Sequence, residues 1–160
     1  MANLYQRFVD SVARTRLGVR VFMPIATAID RKLLPWSKGR LTSGAGTQWG
    51  KNICMLHARG AKTGQLRSVP LLYTEVGDSL VLIASQGGAA TNPAWYANLK
   101  AHPDCEVEVG GRRTSWRARE TDGEERERLW RAAVAVYAGY AVYQRRTVRR
   151  IPVMLLEARR

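Results

Sequence analysis

The chain has 160 residues, 46% hydrophobic and 24% charged, the make-up of one ordinary folded domain and not of a disordered segment. Its 26 basic and 13 acidic side chains give a net charge of +13, and residues 51–110 are balanced while both flanks are basic. No single aromatic-interleaved basic stripe appears, which argues against a nucleic-acid-binding module.

Leu4, Phe8, Val12, Val19 and Met23 recur at helical spacing, with Arg7, Arg14 and Arg20 off the stripe. Residues 1–34 are therefore expected to hold a basic amphipathic helix that ends or kinks near Pro24. Such a helix either docks on the domain or lies on an anionic membrane surface. Arg7, Asp10, Arg14 and Arg16 interrupt every apolar stretch, so no secretory leader is expected. Ala132–Tyr143 is the longest apolar run and too short to span a bilayer. Cys54 and Cys105 stand far apart, outside any CxxC pair, and read as buried thiols of a reducing compartment. The expected location is cytoplasmic, with peripheral contact at the inner membrane face. Residues 35–50, with Pro35, Gly39, Gly44, Gly46 and Gly50, read as a linker, and 51–160 as the cofactor-binding domain.

Strands are expected over Ile53–Ala58, Ser68–Val76 and Leu80–Ser85, the last two joined by a Gly77-Asp78 hairpin. Asn92 should cap a short helix, Ala94–Ala101, with Pro93 in its first turn. Glu106–Val109 and Arg113–Ala118 form a second hairpin through Gly110-Gly111. Thr121 or Asp122 should cap a long helix opened by Glu124 and Glu125, and Pro152–Glu157 is a last strand. Short hairpin-linked strands with inserted helices indicate an α+β fold built on a small antiparallel barrel.

Two glycine-containing loops end predicted strands. GAKTGQLR places Lys62, Thr63 and Arg67 around a turn whose backbone N–H groups converge, as an anion site requires. ASQGGAATNPAWYANL offers Ser85, then Gly87 and Gly88, whose missing side chains would let a flat ligand lie on the backbone. Tyr137, Tyr140 and Tyr143 step by three and would share one broad helix face, with Gly139 as a bend. Trp95 serves as a core anchor and a pocket wall at once. His57 is expected to pack in its strand, and His102 to serve the end of the short helix. No GxSxG elbow or metal-spaced cluster occurs, which counts against hydrolases.

Gly60, Lys62, Thr63, Gly64, Arg67, Pro70 and Leu71, then Ala84, Ser85, Gly87 and Gly88, then Asn92, Pro93, Trp95, Asn98 and Leu99, resemble the deazaflavin-dependent nitroreductase family. The resemblance covers about residues 50–157 and implies a split antiparallel β-barrel of the FMN-binding type. It implies binding of coenzyme F-420, an 8-hydroxy-5-deazaflavin, and hydride transfer to a small electron-poor acceptor such as a nitro compound, quinone or enone. Lys62, Thr63, Gly64 and Arg67 would hold its phosphate. Pro70, Leu71, Ala84, Ser85, Gln86, Gly87 and Gly88 would line its ring, with Trp95 and Asn98 alongside. Tyr137, Tyr140 and Tyr143 fall where that family's nitroreductases carry a tyrosine cluster beside the substrate. The family often has a basic residue at Ala61 and a lysine at Gln86, so an FMN-binding relative or a non-catalytic lipid carrier stays open as an alternative. Arg145, Arg146, Arg149 and Arg150 would draw the anionic coenzyme in over long range. Exposed strand edges would leave room for a homodimer.

Overall fold

Alternating apolar residues build six strands: β1 (Ile53–Arg59), β2 (Leu66–Val76), β3 (Ser79–Ile83), β4 (Asp104–Val109), β5 (Arg112–Glu120) and β6 (Val153–Ala158). Over residues 50–159 three α-helices accompany them, α1 (Ala94–Ala101), α2 (Gly123–Val136) and α3 (Gly139–Arg145). The computed structural model describes residues 50–159, together with the isolated positions Thr15, Ile25, Ala28, Ile29 and Lys32. The helix expected over 1–34 and nearly all of the 35–50 linker lie outside the described residues.

The strands close into an antiparallel ring in the order β1-β2-β3-β6-β5-β4. Closure comes from Leu56 of β1 opposite Val107 of β4, and from Leu80 and Leu82 of β3 opposite Leu156 and Met154 of β6. Every strand of the ring is paired on both sides. The exposed edges on which dimerisation was expected are therefore absent from this barrel, because the last strand fills the gap between β3 and β5.

Strand alternation separates two apolar layers. Inside the barrel, Cys54, Leu56 and Ala58 meet Tyr73, Leu82, Val107, Met154 and Leu156, and α1 contributes Trp95 and Leu99. Outside it, Leu129 and Ala133 of α2 pack with the three tyrosines on Val81, Ile83, Val153 and Leu155. On β2, Val69, Leu71 and Tyr73 belong to the inner layer, whereas Leu72 and Val76 belong to the outer one. Ser68 and Pro70 therefore share the outer face, and Leu71 does not.

Both cysteines are free and buried in the barrel, where loss of hydration pushes each thiol up to about 12. The short helix starts and ends as its sequence indicates, but its start is built differently. Pro93 occupies the cap position in an extended conformation, with no side-chain cap bond. Asn92 is occupied elsewhere: its Oδ1 accepts a 2.6 Å hydrogen bond from Arg149.

The tyrosines do not share one helix. The α2 helix ends at Val136, and Tyr137 turns to an extended conformation with φ −141° and ψ 100°. A Cβ on Gly139 would lie only 2.2–2.5 Å from the Tyr137 ring, so glycine is what lets that ring fold back over α3. Gly88 is equally constrained. Its φ is +83°, and a Cβ there would meet the backbone carbonyl oxygen of Tyr143 at 2.5 Å. The space freed by this glycine is filled by α3 and not by a ligand, contrary to the expectation above. Gly88→Ala combines backbone strain with a clash against main chain, and should lower unfolding stability by about 2–4 kcal/mol in denaturant titration.

Candidate functional site

The first glycine loop is a closed turn. Gly64 N donates to Gly60 O at 2.8 Å, Gly60 N donates to Gln65 O at 2.8 Å, and Gly64 has φ +68°. Thr63 Oγ1 accepts from Gln65 N at 3.4 Å, and Arg67 Nη2 donates to Gln65 Oε1 at 3.1 Å. Asn98 of α1 anchors the loop by accepting from Ala61 N at 2.9 Å. Lys62, Thr63, Gly64 and Arg67 are all exposed.

Many cations of the domain are neutralised by neighbours, while a minority, Arg59, Arg112, Lys62 and Arg67 among them, are not. Arg113, Arg117, Arg119, Arg126, Arg150 and Arg159 each lie within salt-bridge distance of a carboxylate. No carboxylate of the described residues pairs with Lys62 or Arg67. Two unneutralised cations on a backbone turn are what an anionic ligand would use.

The second loop is held by arginine. Arg149 donates through Nε to Ala89 O at 2.8 Å, through Nη2 to Ala84 O at 3.1 Å and Ser85 O at 2.9 Å, and through Nη1 to Asn92. Burial holds its pKa below the ordinary arginine value. Gln144 fixes the segment that carries it, donating to Arg149 O at 2.8 Å and accepting from Ile151 N at 2.9 Å. Arg146 lies 5.4 Å over the Tyr143 ring, with its Nη1 3.5 Å from Gly87 O. Arg150 pairs with Glu127 at 2.7 Å. Of the four residues expected to draw the coenzyme in, Arg150 alone is paired with a carboxylate, while Arg146 and Arg149 spend their N–H groups on uncharged oxygens of the second loop. Gln86, exposed, sits at φ +45°, a conformation that costs a non-glycine residue about 1–2 kcal/mol.

The helix α1 links the two loops. The second loop leads into its first residue, Ala94, and Asn98 touches the first loop four residues later, about 6 Å along the helix. Leu71, Ala84 and Trp95 are packed into the barrel core, and Trp95 retains only 7% of its exposure. They support the site from beneath. Trp95 is therefore first a core anchor, since the barrel end closes over it. Ser85 is buried with its carbonyl on Arg149, and Pro70 is half-buried on the outer face.

Tyr137, Tyr140 and Tyr143 converge at the other side of the second loop. Their ring centroids lie 5.2–6.4 Å apart, and the Tyr137 and Tyr143 hydroxyls are 2.9 Å apart. Burial, then the Tyr143 phenol, push the Tyr140 pKa far above its ordinary value. An open depression of about 810 Å³ lies along the start of α2, lined by residues including Glu124, Glu127, Arg131 and Arg150. It shares no residue with the two loops, and of its charged residues Glu127 pairs with Arg150 across it while Glu125 pairs with Arg119 outside it.

Residue-type reasoning found both loops and the tyrosines but missed Arg149, Gln144 and the role of Asn92. The only local signal was a basic run ahead of the last strand, which reads as a solvated face.

Residues 35–158 match the family described as F420H(2)-dependent quinone reductase. An F420H(2)-dependent quinone reductase of Mycobacterium tuberculosis is 42% identical over 108 residues, covering 66% of this chain and 72% of that protein. A solved structure described as an F420-H2 dependent reductase (FDR-A) is 42% identical with a TM-score of 0.62, covering 66% of this chain and 94% of that one. Another, described as a domain-swapped dimer, has a TM-score of 0.63 at 42% identity and covers 66% of this chain and 80% of its own.

Arg149→Met removes a fork that holds four acceptors. It should cost about 2–4 kcal/mol of stability in a melt and open residues 84–92 to limited proteolysis, with Arg149→Lys recovering less than half of the loss.

Proposed function

The chain belongs to the F420H(2)-dependent quinone reductase family, and from that membership we propose that it transfers a hydride from reduced coenzyme F-420 to a small electron-poor acceptor, a quinone foremost, with nitro compounds and enones open to the same chemistry. The observation that carries this reading is the unneutralised pair Lys62 and Arg67 on a closed backbone turn that α1 braces against the second glycine loop. That donor set suits the phosphate of an anionic coenzyme. When bound, the coenzyme supplies the hydride from its own ring.

The protein's part is binding and aim. Lys62 and Arg67 would hold the phosphate by charge, with Thr63 beside them, while Gly64 shapes the turn through its own N–H bond to Gly60 O. Pro70 and the Ser85–Gly87 backbone would border the ring, while Leu71, Ala84 and Trp95 would shape its floor from the barrel core. Asn98 acts through Ala61, as a positioning residue. Tyr140, a protonated phenol at neutral pH whose ionisation burial disfavours further, would serve as a hydrogen-bond donor to the acceptor oxygen that gains charge as hydride arrives. Tyr137 and Tyr143 hold the cluster together through their hydroxyl contact.

Among the described residues no helix is long and apolar enough to cross a membrane. The free, buried thiols suit a reducing cytoplasm. Peripheral contact through the basic segment 1–34 suits acceptors dissolved in lipid. Deleting residues 1–30 should then move the protein from pelleted anionic vesicles to the supernatant. The domain-swapped relative supports a homodimer, checked by light scattering.

The central test is a fluorescence titration with oxidised coenzyme F-420, with FMN as competitor. Micromolar or tighter binding of the deazaflavin is expected, and preference for FMN would overturn the reading. Arg67→Ala should weaken binding about 10- to 100-fold. Tyr140→Phe should leave that Kd within a few-fold and lower kcat with a quinone about 100-fold.

A further inference from the structure

Three side chains on the outer faces of adjacent strands have no role in the reading above. His57 of β1 stands directly opposite Ser68 of β2, and Glu108 of β4 approaches it diagonally, two residues along from Glu106, its direct partner in the register. His57 Nδ1 is 2.7 Å from Ser68 Oγ, and His57 Nε2 is 3.5 Å from Glu108 Oε2. The imidazole is only 11% exposed, and its Nε2 is buried without a hydrogen bond. A buried donor left short of its acceptor is costly, and a charged pair with Glu108 would relieve it. Ser68 is exposed, three residues past the first glycine loop, and shares its face with Pro70 about 7 Å further along β2.

We infer that Ser68, His57 and Glu108 form a proton-coupled extension of the anion site, in which His57 takes up a proton when the coenzyme's phosphate settles beside Lys62 and Arg67. This rests on the proposed function. In the free protein His57 is neutral at pH 7. Burial first, then Arg113 of β5, hold its pKa below the ordinary value against the opposite pull of Glu108 and Glu106 of β4. Arg113 is itself paired with Glu106, and β2 faces the ring with the uncharged Ser68.

With its hydrogen on Nε2, neutral His57 accepts the Ser68 O–H at Nδ1, so Ser68 turns lone pairs outward, and these repel an anion. One proton taken from solvent onto Nδ1 reverses the arrangement. Nδ1–H then donates to Ser68 Oγ, the Ser68 O–H is released to donate to a phosphate oxygen, and Nε2–H faces the Glu108 carboxylate as a charged pair. No other bond is made or broken. The coupling is reciprocal, since an anion that raises the His57 pKa binds more tightly once His57 is protonated.

Isothermal titration of the full chain with oxidised coenzyme F-420 at pH 6.5, in two buffers of different ionisation enthalpy, should show fractional proton uptake. His57→Gln, which keeps a partner for Ser68, should abolish the uptake, Glu108→Gln should reduce it, and Ser68→Ala should weaken binding about tenfold. Independently of any variant's folding, the His57 ring signal in NMR should titrate at higher pH in the saturated wild-type protein than in the free one. A bound coenzyme with an unmoved His57 midpoint, or uptake that persists in His57→Gln, overturns the inference and leaves the proposed function standing. Absence of binding to the wild type overturns both.

Discussion

One guanidinium fixes the geometry on which the candidate site depends. Arg149 reaches the carbonyls of Ala84, Ser85 and Ala89 and the side chain of Asn92, which together span the whole second loop. Five N–H donors in a rigid plane match several acceptors at fixed angles, which a lysine ammonium cannot reproduce. The loop has little apolar area to hold it, and two of its residues are glycines that a free chain would leave disordered by entropy. Its order is therefore imported from a segment about sixty residues away.

The two apolar layers divide the remaining work. The inner layer makes the barrel stiff, and α1 closes one end of it with Trp95 and Leu99. The outer layer lays α2 and the tyrosine cluster against β3 and β6. Between them β2 carries both kinds of residue, with Leu71 turned into the core and Ser68 and Pro70 turned outward. Because the period is two, a one-residue slip in this strand would exchange structural for ligand-facing side chains along its length. The dense pairing of β1 with β2, from Ile53–Leu72 to Arg59–Leu66, resists that slip.

Strands with clear alternation and glycine turns were legible in the sequence, because both signals act within a few residues. So were the limits of α1 and the glycine turn of the first loop. What escaped was governed by partners distant in sequence. Asn92 has the right side chain for a helix cap, but Arg149 competes for it and wins with a charge-assisted bond. Helical spacing of the tyrosines suggested one continuous helix. The contact that interrupts it, the Tyr137 ring over Gly139, exists only once the cluster has packed. Trp95 carried two roles on paper, and its burial decides for the core. The barrel itself was legible from its hairpin-linked strands, but which strands close it, β1 with β4 and β3 with β6, is a matter of topology and leaves no local mark.

That closure bears on how the chain comes to be folded. Val153–Ala158 lies between β3 and β5, not at a free margin, so it is the keystone of the ring and also follows every other strand of the barrel along the chain. Until it emerges, β3 and β5 each present an open row of backbone donors and acceptors, and their apolar faces have no roof. Contacts of such long sequence separation form slowly. A nascent chain stalled before residue 153 is therefore an unrolled sheet, prone to pair with its neighbours, and the arrival of β6 converts it into a sealed cylinder.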